Sequence, residues 1–368
     1  MKIGIIGSGE YGHNLALLLS DAGNTVFLSD NDSTKLSNLS FSSFTDNVEL
    51  IKNSDIIFCC VDTKILPSNL YDITNVMDVV EDFGVAFEEE VPLVDKIIVL
   101  CSTLNPGDTK EISDILNPMN LRVCYLPLNL SSSDIKNSIK NQEKIIVGSI
   151  DLHTVNVVGT LISEIQNKPT TIVSMTSKSA EICKLAISSY TTYKINFVNM
   201  IGELMTNYGL SDEIKLVTTT LSGHDIIGNK HFDYGFGFGG PFLPSDNRVL
   251  GEFCNRNKLD FVLPYVIEDF NTQHSQYVKK YYTQQNTDKL EPFIIDGLGY
   301  KNNTDSTIES PKLNLVYDLL RDGYIVHIIE NEKFIRESNL PKELINDFGN
   351  SVKFFKRGTS PKGIYITL

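Results

Sequence analysis

The chain has 368 residues, of which 41% are hydrophobic and 21% charged. That is an ordinary globular composition, with enough material for two or three domains, each with a core. The formal net charge of −14 argues against nucleic acid or an anionic membrane as partner, since both need concentrated Lys and Arg.

Met1–Gly7 looks superficially like a short signal sequence, but glycines interrupt its apolar run and no small-residue cleavage pattern follows. Lys2–Ile6 is therefore predicted as a strand. Further short apolar runs follow at Thr25–Ser29, Ile56–Val61, Lys96–Leu100, Val123–Leu126 and Lys144–Val147. Continuous apolar strands separated by helical stretches predict a parallel sheet covered on both faces. No run approaches the ~18–20 apolar residues needed to span a bilayer.

The pattern changes near residue 175. Ala180, Cys183, Ile187, Tyr190, Phe197 and Ile201 recur at helical spacing and predict one long helix over Ser179–Thr206. More helical sequence follows, broken by a glycine-rich loop at 235–240. From Pro292 the alternation returns. Phe293–Leu298 reads as a strand ending in a glycine turn. Pro311–Arg321 reads as a helix with proline in its first turn and Gly323 after its end. Strands are predicted at Ile325–Ile329, Val352–Phe355 and Gly363–Leu368, with a helix around 341–347. The boundaries drawn from this pattern are 1–175, 176–288 and 289–368.

The six cysteines, Cys59, Cys60, Cys101, Cys124, Cys183 and Cys254, form no CxxC pair and sit in apolar runs. They read as buried, reduced thiols of a cytoplasmic protein, with no disulfide or zinc framework. The scattered histidines show no metal-ligand spacing, so no metal site is predicted.

Gly7-Ser8-Gly9-Glu10-Tyr11-Gly12 has the form GxGxxG. Alone that is a weak signature. Here it directly follows a strand and opens a helix from Tyr11 to about Ala22, which Gly23 ends. Gly7 permits the tight turn, Gly9 lets backbone approach a pyrophosphate, and Gly12 allows close helix–strand packing. The exposed N–H groups and the positive helix end attract phosphate. Eighteen residues after Gly12 the next strand ends in Asp30, whose carboxylate suits the two ribose hydroxyls of NAD and repels the 2′-phosphate of NADP. NAD is the predicted cofactor, held by Gly7, Gly9, Glu10, Tyr11, Gly12 and Asp30.

Several separated motifs resemble the UDP-glucose/GDP-mannose dehydrogenase family. They are Cys101–Thr109, Ser179–Ala186, Tyr193–Asn199, the loop Gly235-Phe236-Gly237-Phe238-Gly239-Gly240, Tyr300–Asp305 and Glu309-Ser310-Pro311. The resemblance covers nearly the whole chain. It implies an α/β fold of two Rossmann-like, doubly wound parallel-sheet domains joined by a long central helix and a helical connector. It also implies a homodimer built on that helix and a nucleotide-sugar substrate. Family members oxidise the C6 alcohol of a nucleotide-linked hexose to a carboxylate, using two NAD and a cysteine nucleophile. The thiolate must attack the aldehyde before the second oxidation can occur.

The chain departs from this pattern at the chemistry. Gly239-Gly240-Pro241-Phe242-Leu243-Pro244-Ser245-Asp246 carries Phe242 at the nucleophile position and Ser245 at the lysine position. Leu128 stands for the helper glutamate, Ser188 for the asparagine four residues after Lys184, and Ile226 and Ile308 for two arginines. Thr103, Lys184, Asp246 and the glycine turn remain. The resemblance then assigns catalysis to Lys184, Asp246 and Thr103, with Thr103 also at the cofactor. Substrate contacts fall to Lys184, Ser188, Phe236, Gly237, Phe238, Gly239 and Phe242. Three readings stay open: an oxidoreductase limited to one two-electron step, a non-catalytic relative that binds NAD or a nucleotide sugar, and a full dehydrogenase using another nucleophile such as Cys254.

Overall fold

The computed structural model describes residues 1–36, 41–127, 134–259, 261–302 and 304–368. The chain divides into two compact units, Met1–Ala186 and Ile187–Leu368.

The strands of the first unit are β1 (Lys2–Ile6), β2 (Thr25–Ser29), β3 (Ser42–Phe44), β4 (Ile56–Cys59), β5 (Lys64–Ile65), β6 (Tyr71–Asp72), β7 (Ile97–Leu100), β8 (Arg122–Tyr125), β9 (Lys144–Gly148) and β10 (Thr171–Met175). Its helices are α1 (Glu10–Asp21), α2 (Ser33–Leu36), α3 (Asn47–Asn53), α4 (Thr74–Glu88), α5 (Asp108–Leu116), α6 (Ile135–Lys140) and α7 (Leu152–Glu164). Helix α8 (Ser177–Asn207) begins in this unit and ends in the next.

Eight strands form one sheet in the order β3-β2-β1-β4-β7-β8-β9-β10. Side chains alternate between two core layers, as the pleat requires. Ile97 and Val99 enter one layer with Ile3, Leu15 and Val158, while Ile98 and Leu100 enter the other with Ile57, Phe83 and Ile112. Both faces are buried, which is why these strands read as unbroken apolar runs. Strands β3 to β8 in this order pair in parallel, but β9 meets β8 antiparallel and β10 follows β9 in parallel. The parallel arrangement expected from the sequence thus holds for the centre, with a reversed pair at one edge. Three features had no sequence counterpart: β3, β10 and the β5–β6 hairpin. These strands are two to five residues long and largely polar or exposed, so they carry no apolar run.

The second unit contains α9 (Ile214–Ser222), α10 (Leu243–Arg256), α11 (Leu263–Thr283), β11 (Phe293–Asp296), α12 (Pro311–Arg321), β12 (Val326–Glu330), α13 (Glu332–Glu337), α14 (Leu340–Phe348), β13 (Val352–Lys356) and β14 (Ile364–Tyr365). Its four strands form a parallel sheet in the order β13-β12-β11-β14. Phe293, Ile295, Val316, Leu319, Val326 and Ile328 fill its core.

The first turn of each sheet is built alike. Gly7, just past β1, has φ +97° and donates its N–H to Ser29 at 2.8 Å. Gly297, just past β11, has φ +72° and donates to Ile329 at 2.8 Å. The next N–H in each turn, of Ser8 and of Leu298, is accepted by the acid ending the neighbouring strand region, Asp30 at 2.8 Å and Glu330 at 2.9 Å. Among the described residues, no helix is long and apolar enough to cross a membrane. The six cysteines are free. Cys59, Cys101 and Cys124 are buried, but Cys60, Cys183 and Cys254 are only half-buried, because they sit at strand ends or on helix flanks rather than inside the layers.

Candidate functional site

In the first unit, strand order reverses direction of travel at β1, where β2 lies on one side and β4 on the other. Such a switch point leaves a crevice beyond the carboxyl ends of the strands. Gly7–Gly12 occupies it. Helix α1 starts at Glu10 with Gly9 as its N-cap and no side chain capping it, so its first N–H groups remain for a ligand. A Cβ on Gly12 would lie 2.0 Å from the Gly7 carbonyl oxygen, so the helix can approach the strand only with glycine here. A Cβ on Gly9 would meet nothing within 4 Å. The protein itself therefore sets no steric requirement for glycine there, and the open side is the one a diphosphate would fill.

Asp30 stands beside this turn. Its carboxylate accepts the Ser8 N–H at 2.8 Å, the Ser8 hydroxyl at 3.0 Å and the Asp32 N–H at 2.9 Å, with Lys35 3.6 Å away. Burial acts to raise its pKa, but these donors and the ammonium outweigh it and hold the carboxyl below its ordinary value. Asp30 is thus an anion positioned at the turn. Glu10 is exposed, whereas Tyr11 packs against the core. Burial first, then Cys101 and Cys60, push the Tyr11 phenol well above its usual range. These residues fit an NAD molecule: an open glycine, free helix N–H groups and a charged acceptor for ribose hydroxyls.

Beyond β7 the chain turns through Ser102–Asp108. The Ser102 hydroxyl donates to the Val61 carbonyl at 2.7 Å, and the Thr63 hydroxyl donates to the Thr103 carbonyl at 2.9 Å. Asn105 exchanges two hydrogen bonds with the backbone of Tyr71, at 2.8 and 3.0 Å. Glu181, fully buried on α8, accepts the N–H groups of Gly107 at 2.6 Å and Thr109 at 2.9 Å. A side chain from one helix thereby caps the start of α5. One turn further along α8, Lys184 is buried with its Nζ 5.8 Å from the Tyr71 ring centroid. Thr103, Tyr71, Glu181 and Lys184 are brought into one neighbourhood by these bonds.

In the second unit the loop 235–240 is fixed by side chains. The Asn271 amide of α11 accepts the Phe238 N–H at 2.9 Å and donates to the Phe238 carbonyl at 2.9 Å. Asn199 on α8 accepts the Gly235 N–H at 3.0 Å. Gly237 has φ +101°, and a Cβ there would lie 2.4 Å from Asn271 Oδ1. A Cβ on Gly239 would lie 2.2 Å from the Glu309 carbonyl oxygen. Close approach therefore requires both glycines. Phe238 is buried, while Phe236 packs against the C-terminal core with the Lys312 Nζ 5.2 Å from its ring centroid.

Phe242 caps α10 and is 40% exposed. Asp246, in the first turn of that helix, is fully buried and donates its N–H to the Phe242 carbonyl at 2.8 Å. A carboxylate there meets the positive end of the helix dipole. Ser188 is buried four residues after Lys184 on α8. Ile226 and Ile308 are exposed, and the Ile308 carbonyl accepts the Gly240 N–H at 2.9 Å. Leu128 lies outside the described residues. Cys254 is twelve residues after Phe242, near the far end of α10, about 18 Å along the axis at ~1.5 Å per residue.

Sequence reasoning gave no role to Glu181, Asn199, Glu203, Asn271 or His274. Polar residues on amphipathic helices look solvated until their partners are known, and these partners lie 33 to 74 positions away.

Comparison with known proteins shows the following likenesses. Residues 37–166 match the NAD binding domain of the UDP-glucose/GDP-mannose dehydrogenase family, and residues 178–273 match its central domain. The UDP-glucose 6-dehydrogenase of Rickettsia bellii is 24% identical over 355 residues, covering 89% of this chain and 80% of the relative. The GDP-mannose 6-dehydrogenase of Pseudomonas aeruginosa is 25% identical over 382 residues, covering 94% and 85%. Among solved structures, a UDP-glucose dehydrogenase from Pyrobaculum islandicum superposes with a TM-score of 0.80 at 19% identity, covering 96% of this chain and 85% of the other. A UDP-D-ManNAc dehydrogenase from Pyrococcus horikoshii gives 0.74 at 18% identity, covering 99% and 98%. With one family's models spanning more than half of the sequence from its sheet through its long helix, the chain belongs to the UDP-glucose/GDP-mannose dehydrogenase family.

Proposed function

We propose that this protein is a cytoplasmic, NAD-dependent oxidoreductase that carries a nucleotide sugar, or a related alcohol, through a single two-electron step. The observation that carries the NAD assignment is the open side of Gly9 beside the anionic Asp30. When bound, NAD accepts the two electrons and one hydrogen of an alcohol being oxidised. Gly7, Gly9 and Gly12 shape the phosphate turn, with Glu10 and Tyr11 opening the helix behind it, and Asp30 takes the ribose hydroxyls.

The chain's own share of the chemistry is proton handling at the alcohol. Lys184, buried against Tyr71 and one turn from Glu181, is the cation that orients the alcohol and stabilises it as its proton leaves. Resemblance to the family supports Thr103 and Asp246 as further catalytic candidates, and Ser188, Phe236, Gly237, Phe238, Gly239 and Phe242 as candidate sugar contacts. Phe242 limits the outcome. A phenyl ring has no lone pair, so no thioester forms and oxidation stops at the aldehyde. A homodimer is supported by the exposed apolar face of α8, where Ile182, Ile187, Tyr190, Tyr193, Met200 and Leu204 recur along the helix.

The test is NADH absorbance with a panel of UDP- and GDP-sugars, combined with trapping of aldehyde and assay of carboxylate. One NADH per sugar with trapped aldehyde supports the proposal. NAD binding without turnover of any sugar favours instead the non-catalytic reading, for which Phe242 and Ser245 are the motivating observations.

A further inference from the structure

His274 of α11 is 3% exposed, and acceptors meet both of its ring nitrogens. Nδ1 is 2.5 Å from Glu203 Oε1 on α8, and Nε2 is 2.6 Å from the Gly235 carbonyl oxygen. A carbonyl cannot donate, so Nε2 must carry hydrogen. A neutral ring with that tautomer would turn the Nδ1 lone pair towards the Glu203 carboxylate. Both bonds exist together only when the His274–Glu203 pair holds a second proton, on Nδ1 or on the carboxyl group. Three residues earlier on the same helix, Asn271 holds both backbone groups of Phe238. The start and the middle of the glycine-rich loop are therefore fastened to one helix face.

We infer that His274 and Asn271 are positioning residues that hold the loop 235–240 in its ligand-receiving form, and that the His274–Glu203 pair holds it only while it retains its second proton. The inference rests on the reading that this loop receives the nucleotide sugar. Neither residue need touch the ligand. Loss of the shared proton removes the Nδ1 bond, weakens the grip on Gly235, and leaves the first half of the loop to Asn271 and Asn199, with the Ile308 carbonyl holding Gly240 at its end.

The other titratable groups facing the pair are Tyr234 from the loop, whose ring centroid is 5.9 Å from the imidazole, and Tyr277 from α11, whose hydroxyl donates to the Glu203 carbonyl at 3.3 Å. Burial first, and neighbouring acidic groups including Glu203 second, hold both phenols above their ordinary value. Both phenols therefore stay neutral. Glu203 is 26% exposed and gives the proton a path to solvent.

The experiment combines hydrogen exchange of the loop amides without ligand with calorimetry of UDP-glucose, GDP-mannose and NAD across pH. The proteins compared are the full chain, His274→Ala and Glu203→Gln. In His274→Ala the amides of the loop should exchange faster, and nucleotide-sugar affinity should fall by about tenfold or more, while NAD affinity is unchanged. In the unaltered chain, loop exchange should accelerate and sugar affinity fall as pH rises. Glu203→Gln supplies a fixed N–H donor to Nδ1 of the neutral ring, so it should keep the loop ordered and flatten that pH dependence. Unchanged loop exchange in His274→Ala, or an unaltered pH profile in Glu203→Gln, overturns the inference. Failure of the unaltered chain to bind either sugar nucleotide overturns the substrate reading of the loop, and the positioning role with it. Sugar binding that His274→Ala leaves intact overturns the positioning role alone.

Discussion

The Glu181 carboxylate accepts the Thr109 backbone N–H at 2.9 Å, joining the middle of the sequence to the start of α5. Its other oxygen accepts the Gly107 N–H at 2.6 Å. These are two of the N–H groups that a helix start leaves without partners. Replacing them with a carboxylate from α8 fixes the turn carrying Thr103 against the helix carrying Lys184. Glutamine offers one acceptor where two are needed and turns an NH2 towards an N–H. Glu181→Gln is expected to lower unfolding free energy by about 1–3 kcal/mol, the cost of a buried donor left unmade, measured by urea denaturation. An unchanged midpoint would show that the turn is held by its other bonds.

Gly9 and Gly12 separate the two meanings of the glycine turn. Gly12→Ala forces a methyl group to 2.0 Å from the Gly7 oxygen, so it is expected to destabilise the unit by about 1–3 kcal/mol or more, through overpacking. Gly9→Ala meets no protein atom within 4 Å and should melt at the wild-type temperature. Its NAD affinity should nevertheless fall at least ~10-fold, equivalent to about 1.4 kcal/mol. Thermal unfolding and calorimetry on the same two variants read both outcomes.

Asp108 gives the first unit a pH-dependent weakness. Burial raises its carboxyl to about 6, opposed by hydrogen bonds from Asn105 and reinforced by Glu181 and Glu111. A carboxyl whose folded value lies above the unfolded 3.8 binds more protons in the fold, so its contribution is present below about pH 4 and is lost as pH rises through about 6. Both Asn105 donors point to the same oxygen, at 2.9 Å each, which an amide oxygen can replace. Asp108→Asn is expected to stabilise the protein above about pH 6 by up to ~3 kcal/mol, at about 1.4 kcal/mol per pKa unit. The gain should vanish below about pH 4, and denaturation at several pH values checks the sign.

The apolar face of α8 leads to an expectation about assembly. Tyr190 is 60% exposed and Leu204 52%. If this face is where two copies meet, a Tyr190→Asp, Met200→Asp pair buries two unpaired charges and should convert dimer to monomer in analytical ultracentrifugation. A wild-type protein that sediments as a monomer at all concentrations would remove the homodimer from the proposal.

What the sequence determined by itself is local or periodic. The strand–glycine turn–helix unit at residues 2–22 needs only backbone φ preferences and a run of apolar side chains, both written in adjacent residues. Helix α12 was predicted to the residue because Pro311 and Gly323 punctuate it, and α8, expected over Ser179–Thr206 and found over Ser177–Asn207, because one period runs through it. What only the tertiary structure decided is pairing at a distance. Asn271, His274 and Glu181 are polar residues on helices, and nothing adjacent distinguishes them from solvated ones. They acquire meaning when folding delivers Phe238, Gly235 and Thr109 to them, because a buried N–H or carbonyl cannot remain unpaired and takes whichever side chain the packing of the layers places within reach.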